Sequence, residues 1–175
     1  MMDKVGGGDN IYFLKNNIYI KHMEKIKLTL NDLMQLESEL NGLVDPKTGK
    51  VIYQGFLKSN LQILLKYELK ELCNELRDEK KRIDQLRDEL ILKYGEDDGK
   101  GGKVVKTHNE IFDVDGNLIS KSINENYLEF DKEFGELLSH EKEIEYPEIT
   151  TADLKEAGKS PDHYVVLFKL IKKGA

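Results

Sequence analysis

One apolar stripe dominates the pattern of hydrophobic and polar positions along this chain. Its members recur in alternating steps of four and three residues, and one of them is polar: Leu65, Leu69, Leu72, Leu76, Glu79, Ile83, Leu86 and Leu90. This heptad spacing predicts a single long helix over residues 54–94, with no Pro or Gly after Phe56 to interrupt it. Because such a helix cannot bury its stripe alone, a partner segment or a second chain must cover it.

Shorter elements are predicted before this helix. Residues 1–22 are interpreted as either a flexible extension or an edge hairpin. Ile26–Leu30 reads as a strand, and Thr29 or Asn31 can cap a helix that ends at Asn41-Gly42. Its apolar face is formed by Leu33, Leu36 and Leu40. A turn around Pro46 and Gly49 then predicts a minimal hairpin between residues 43–44 and 51–53.

Three further elements are predicted after the long helix. Asp115-Gly116 lies between apolar segments and predicts a β-hairpin over residues 103–120. A second amphipathic helix is predicted over residues 123–143, with its apolar face made by Ile123, Tyr127, Phe130, Phe134 and Leu137. Ile144–Tyr146 reads as a strand. Terminal helices are predicted over residues 151–173, with a start signal at Ser160-Pro161-Asp162.

These elements predict a fold that is mainly α with small β (α+β). Residues 23–175 would form a single helical domain, built as a long antiparallel helical hairpin with a β-hairpin at its tip and small strands at its base. The base strands expected to pair are Ile26–Leu30, Val51–Tyr53 and Ile144–Tyr146. The predicted core comprises Leu61, Leu65, Leu69, Leu72, Leu76, Ile83, Leu86, Leu90, Tyr127, Phe130, Phe134 and Leu137.

Composition narrows the class of protein. Charged residues make up 34% of the 175 residues and the net charge is −6, which argues against general nucleic-acid affinity. The one cysteine, Cys73, fits a reducing compartment. Since no apolar run is long enough for a membrane span, we expect the protein to lie in the cytoplasm and to make no contact with a membrane.

The candidate chemical motifs are incomplete. Asp113–Asn117 lacks the spacing of a calcium loop, and residues 95–103 lack that of a phosphate-binding loop. Glu133, Glu136 and His140 give an incomplete ligand set, so we predict no metal site. No base is identifiable for Cys73. We therefore expect no enzyme activity, no catalytic residues and no cofactor.

An acidic segment stands out instead. Residues 124–148 hold nine acidic residues and only two lysines. We predict that they bind a protein partner with a basic surface, through Glu125, Glu129, Glu133 and Glu136. The apolar first half of the long helix, with Leu61 and Leu65, predicts a homodimer.

The layout from residue 57 to 171 resembles a family of small uncharacterised proteins encoded by tailed bacteriophages. The similar features are Lys93-Tyr94-Gly95 at the end of a charged helix, an acidic Gly-containing insert, the acidic second helix, and Ile144–Ile149. Residues 1–53 lie outside the resemblance, which supplies no catalytic residues. It implies a phage or prophage origin and a non-enzymatic role inside an infected bacterium.

The leading functional prediction is therefore a protein-binding module, a phage accessory factor that inhibits or escorts a bacterial or phage protein. Two alternatives remain open at this point. One is a sponge for a small nucleotide signal, suggested by Lys100, Lys103 and Lys106 beside a glycine-rich loop. The other is a component of virion assembly or structure.

Overall fold

A computed structural model describes residues 10–14, 17–21, 23–156 and 164–172, and it shows a mixed α+β fold with small sheets. The helices are α1 (Leu30–Asn41), α2 (Ile63–Tyr94), α3 (Glu125–Ser139) and α4 (Thr151–Glu156). The strands are β1 (Asn10–Leu14), β2 (Asn17–Lys21), β3 (Met23–Thr29), β4 (Gly42–Val44), β5 (Val51–Gln54), β6 (Glu96–Asp97), β7 (Lys103–Val104), β8 (His108–Phe112), β9 (Leu118–Ile123), β10 (Glu141–Pro147), β11 (Ile149–Thr150) and β12 (Ile171–Lys172).

The chain divides into two compact units. The first unit contains residues 1–78 and 141–175, and the second contains residues 79–140. Among the described residues, all buried apolar side chains except Ile83 belong to the first unit. Because burial of apolar surface is the main stabilising term in folding, the first unit holds the core.

The core of the first unit is built around α1. Thr29 caps this helix by accepting the backbone N–H of Asp32 at 3.1 Å, and Gly42 ends it with a φ of 90°. A Cβ at Gly42 would lie 2.5 Å from the backbone nitrogen of Gly55, so the tight exit requires glycine. The predicted apolar face is confirmed, since its three members are fully buried: Leu33, Leu36 and Leu40.

The β3–β10 pair and the β4–β5 hairpin confirm the predicted local pairings, but the predicted place of β5 in the base of the fold is wrong. β3 pairs antiparallel with β10, with Ile26 opposite Ile144 as expected for the base strands. β5 does not join them, because it pairs with β4 across the short Asp45–Gly49 turn. At the N-terminus, β1 and β2 form the hairpin that was one of the two interpretations of residues 1–22. Residues 1–9 lie outside the described part of the chain.

Helix α2 begins at Ile63, so its predicted start at residue 54 is wrong. Residues 56–58 form a 3₁₀ turn instead, and the buried Phe56 ring meets Tyr164 edge-on with 5.8 Å between centroids. This tertiary contact holds the chain in a conformation that helix propensity alone does not favour. Leu61 therefore precedes the helix and is only half-buried.

The predicted heptad stripe is buried along only part of its length. The first-unit members Leu69, Leu72 and Leu76 are buried, together with Ile83 in the second unit. Further along, Leu90 is half-buried and Leu86 is 41% exposed, so its place in the predicted core is wrong. In the first unit, Leu65 is also half-buried.

Helix α3 is shorter than predicted at both ends. Asn124 caps it by accepting the N–H of Asn126, and the backbone is already extended at His140. Residues 141–143 join β10, because their backbone groups are satisfied by the ladder with β3. No residue of α3 is buried, so its predicted core members are half-buried only: Tyr127, Phe130, Phe134 and Leu137.

The C-terminal segment corrects the prediction of terminal helices over residues 151–173. Among the described residues of this segment, only Thr151–Glu156 is α-helical, Leu167–Leu170 is a 3₁₀ turn, and β12 pairs in parallel with β11. Residues 157–163, with the predicted start signal at Ser160, lie outside the described part. The reason for the turn is Glu39, whose buried carboxylate accepts the backbone N–H groups of three consecutive residues: Val165, Val166 and Leu167.

Candidate functional site

The exposed apolar surface of the second unit centres on the β8–β9 hairpin. The predicted hairpin over residues 103–120 is confirmed in kind, although it consists of two separate ladders, β6–β7 and β8–β9. Near the β8–β9 turn, five apolar side chains are more than half exposed: Ile111, Phe112, Val114, Leu118 and Ile119. We call these five residues the tip patch.

The turn that carries the tip patch is held by Asp113. Its carboxylate accepts the backbone N–H of Asp115 at 2.9 Å and that of Asn117 at 2.7 Å, and the Asn117 side-chain amide donates at 3.0 Å. These donors, the Asn117 amide first, lower the pKa of the Asp113 carboxyl. Gly116 has a φ of 83°, which suits this turn. The turn therefore presents Val114 to solvent in one defined conformation.

The position of this hairpin was predicted from the sequence, but the exposure of its apolar side chains was not. The signal was present, because apolar residues are adjacent in each strand, as in Ile111-Phe112 and Leu118-Ile119. Neighbouring residues of a strand point to opposite faces of a sheet, so a two-stranded ribbon cannot cover both members of a pair. Some apolar surface had to face outward.

The four predicted acidic residues lie on α3, near one another along its length. Glu125, Glu129 and Glu136 are exposed, whereas Glu133 is half-buried and bound within the chain. Lys93 Nζ lies 2.8 Å from Glu133 Oε1, and the Tyr94 hydroxyl donates to the same oxygen at 2.9 Å. These two donors, Lys93 first, lower the pKa of the Glu133 carboxyl. Glu133 thus contributes to the internal structure of the second unit.

The two predicted dimer residues are less exposed than expected. Leu61 and Leu65 are half-buried, while the neighbouring Ile63, Leu64 and Tyr67 are exposed, Ile63 to 83%. The start of α2 therefore does expose apolar surface, but Ile63, Leu64 and Tyr67 form it rather than the predicted Leu61 and Leu65.

The lysines proposed for a nucleotide signal are not assembled as predicted. Lys103 Nζ donates to the carbonyl of Leu92 at 2.8 Å, and Lys106 Nζ lies 3.1 Å from Glu96. Among the described residues, Lys100 is the one of these three lysines whose exposed side chain makes no ion pair or hydrogen bond. These contacts close the loop after α2 and leave no basic cluster there.

A different basic cluster surrounds a cavity of about 280 Å³ in the first unit. Its walls come from the end of α1, the 3₁₀ turn and one face of α2: Asn41, Leu57, Lys58, Lys66, Lys70, Cys73, Asn74 and Arg77. We call this the basic cavity. This cluster was not predicted, although the steps from Lys66 to Lys70, Asn74 and Arg77 place these residues along one helical face.

Cys73 and the possible metal ligands are the remaining candidates for chemical function. Cys73 is buried, and this burial raises the pKa of its thiol. Among the described residues, no three His, Cys, Asp or Glu side chains are grouped so that they could hold a metal ion. His22 and His163 lie outside that part.

Comparison with known proteins adds no assignment to these surfaces. No protein-family model, no curated protein and no solved structure matches this chain. None of the helices that the structure describes combines the length and the apolar character needed to cross a membrane.

Proposed function

We propose that this protein is a non-enzymatic protein-binding module that docks through the tip patch. The observation that carries the proposal is the exposure of five apolar side chains on a hydrogen-bonded hairpin, with Val114 fully exposed. Clustered apolar surface of this kind is unfavourable in water and is typical of protein interaction sites.

The turn geometry supports binding to a protein surface. The hydrogen bonds to Asp113 hold the loop in one conformation, so little conformational entropy is lost when the tip patch docks. In the described residues, β8 and β9 have only each other as sheet neighbours. An open strand edge can also pair with an extended segment of a partner.

The acidic residues of α3 supply selectivity in this proposal. Glu125, Glu129 and Glu136 remain exposed, and they favour a partner with a basic surface. Such complementarity raises the association rate and discriminates against acidic proteins. Glu133 takes no direct part, because Lys93 and Tyr94 already bind it.

The proposal also includes the finer architecture and the biological setting. We expect α3 to run antiparallel along the second half of α2, starting from the contact of Glu133 with Lys93 and Tyr94. The resemblance to tailed-phage proteins supports an accessory factor that inhibits or escorts a bacterial or phage protein. Its place of action would be the cytoplasm of the infected bacterium.

The test is affinity capture with the full chain immobilised and a bacterial lysate applied. Wild type is compared with Val114→Ser/Ile119→Ser, which removes two exposed tip residues. The matched control is Val51→Ser/Ile52→Ser, which removes two apolar side chains of β5 in the first unit that are also more than half exposed.

We expect one protein to be captured by wild type and by the control but not by the tip variant, and to rebind when purified. Equal capture by the tip variant would place the binding surface elsewhere. Capture of no protein at all, with small metabolites co-purifying instead, would contradict a protein-binding module.

A homodimer through the start of α2 is the second part of the partner proposal. Ile63 and Tyr67 are one helical turn apart and exposed, so they are better test positions than the half-buried Leu61 and Leu65. Ile63→Glu/Tyr67→Glu should give a folded monomer by light scattering. A wild-type protein that is monomeric at high micromolar concentration would rule the dimer out.

A further inference from the structure

We propose that the basic cavity is a binding site for a small organic phosphate of the size of a nucleoside mono- or diphosphate. This inference is independent of the tip patch and of protein binding. The cavity lies within the first unit, since every residue that lines it precedes residue 79. It has a volume of about 280 Å³, near the lower end of ligand-binding clefts.

The charge around the cavity is the first argument. Its lining contains four cationic side chains and no carboxylate: Lys58, Lys66, Lys70 and Arg77. The whole chain carries a net charge of −6, so this concentration of positive charge is local and runs against the overall balance. A cleft lined by one sign of charge attracts the opposite ion into it.

The absence of internal partners is the second argument. Within the part of the chain that the structure describes, Lys58, Lys66 and Lys70 make no ion pair or side-chain hydrogen bond. Three ammonium groups around one cleft repel one another unless an anion joins them. Since lysine binds phosphate as a point charge with three donors, a phosphate group satisfies this arrangement.

A second, smaller cavity in the same unit shows the contrast. Its volume is about 130 Å³, and its lining includes Lys169 and Lys172 together with Glu24 and Glu148. Lys172 lies 3.4 Å from Glu148, and Lys169 lies 2.7 Å from Asp32. The lysines there are neutralised by the protein itself, whereas those of the basic cavity are not.

Arg77 has a different role from the three lysines. Its Nε lies 3.7 Å from Glu37 Oε1, which also accepts from the Asn41 side-chain amide at 2.7 Å. Arg77 Nη1 lies 3.3 Å from Asn74 Oδ1. The buried Glu37 therefore positions one wall of the cavity and offsets part of the Arg77 charge, leaving the three lysines to hold the anion.

The uncharged lining argues for an organic group beside the phosphate. Leu57 and Cys73 provide apolar surface, and the side-chain amides of Asn41 and Asn74 provide polar groups. Inorganic phosphate alone would fill only a small part of the cavity.

The test is calorimetric titration of the full chain with inorganic phosphate, pyrophosphate, AMP and ADP, with adenosine as the uncharged probe. We expect ADP to bind more tightly than phosphate, adenosine not to bind, and the affinity for ADP to fall as salt is raised. Bound ADP should also raise the melting temperature.

The site is tested with Lys66→Gln/Lys70→Gln, which keeps good helix formers at both positions. We expect the dissociation constant for ADP to rise at least about tenfold. Lys27→Gln is the matched control, because Lys27 is an exposed lysine on β3 that does not line the cavity, and its affinity should stay within about twofold of wild type.

Circular dichroism should show that the unliganded double variant is folded and close to wild type in stability, since neither lysine makes an ion pair or a side-chain hydrogen bond among the described residues. Failure of all four phosphate compounds to bind at millimolar concentration would overturn the proposal. So would equal affinity of the double variant and wild type for ADP, because the anion would then bind elsewhere.

Discussion

The first unit contains a buried apolar core, whereas the second unit keeps nearly all of its apolar side chains half-buried or exposed. In the first unit, α1 and the C-terminal segment contribute fully buried residues such as Leu36 and Val166. In the second unit, Ile83 is the one buried apolar side chain among the described residues, while Val114 is fully exposed. Both units contain helices and hairpins, so secondary structure does not distinguish them.

The difference shows that similar elements can be stabilised in different ways. The first unit relies on burial, for which each side chain contributes about 1.5–3 kcal/mol. The second unit has polar contacts near its surface instead, such as the hydrogen-bonded Asp113 turn and the ion pair of Lys93 with Glu133. Exposed contacts of this kind contribute little. The second unit therefore leaves most of its apolar surface available to a partner, in addition to the exposed side chains of the first unit such as Ile63 and Tyr67.

The largest expected effect comes from truncating one leucine in each unit. Leu36→Ala removes a fully buried side chain and should lower the free energy of unfolding by about 3 kcal/mol. Leu128→Ala on α3 removes a side chain that is 51% exposed, and should change it by less than about 0.5 kcal/mol. Urea denaturation followed by circular dichroism measures both. Equal losses would abolish the distinction between the units.

A somewhat smaller effect is expected from Glu39. Glu39→Ala leaves the N–H groups of Val165, Val166 and Leu167 without their acceptor, so it should cost about 2 kcal/mol. Glu39→Gln keeps one acceptor oxygen and should cost less. The exposed Glu129→Ala on α3 serves as the control and should be nearly neutral. Hydrogen exchange should show faster exchange of the three amides in Glu39→Ala, and unchanged rates would exclude this role.

The smallest effect is a pH dependence confined to the β8–β9 turn. The pKa of Asp113 is lowered in the folded protein by hydrogen bonds from Asn117. The stabilisation of the turn by the ionised Asp113 carboxylate is therefore fully present above the unfolded-state pKa of about 4. It is lost as the pH falls through the lower folded-state pKa. Amide chemical shifts of Val114 and Gly116 should report this loss in wild type.

Asp113→Asn is the matched control for this titration. It keeps an oxygen that can accept the same backbone N–H groups but does not ionise, so its turn should show no such transition in acid. A wild-type turn whose amide shifts are constant down to about pH 2 would contradict the assigned role of Asp113.

Local chemistry made several elements predictable from sequence. The Asp115-Gly116 turn, the Thr29 cap and the Gly42 stop each depend on residues within a few positions of one another. The same holds for the apolar face of α1 and for most of α2, whose periodicity is long and regular. Helix ends were less predictable, because Phe56 and the β3–β10 ladder act on them through distant contacts.

The sites depended more on tertiary structure. The acidic composition of α3 was visible in the sequence, but its contact from Glu133 to Lys93 joins residues 40 positions apart. The basic cavity is lined by the end of α1, a 3₁₀ turn and a face of α2, and no local sequence pattern indicates that these three segments lie together.

The sequence by itself determined α1, most of α2 and the β4–β5 and β8–β9 hairpins, because capping, turn geometry and apolar periodicity act between near neighbours. Only the tertiary structure decided which apolar faces are covered and which polar groups meet. Glu39 shows why. Its carboxylate sets the conformation of backbone more than 125 residues away. Such a contact depends on how the whole chain packs.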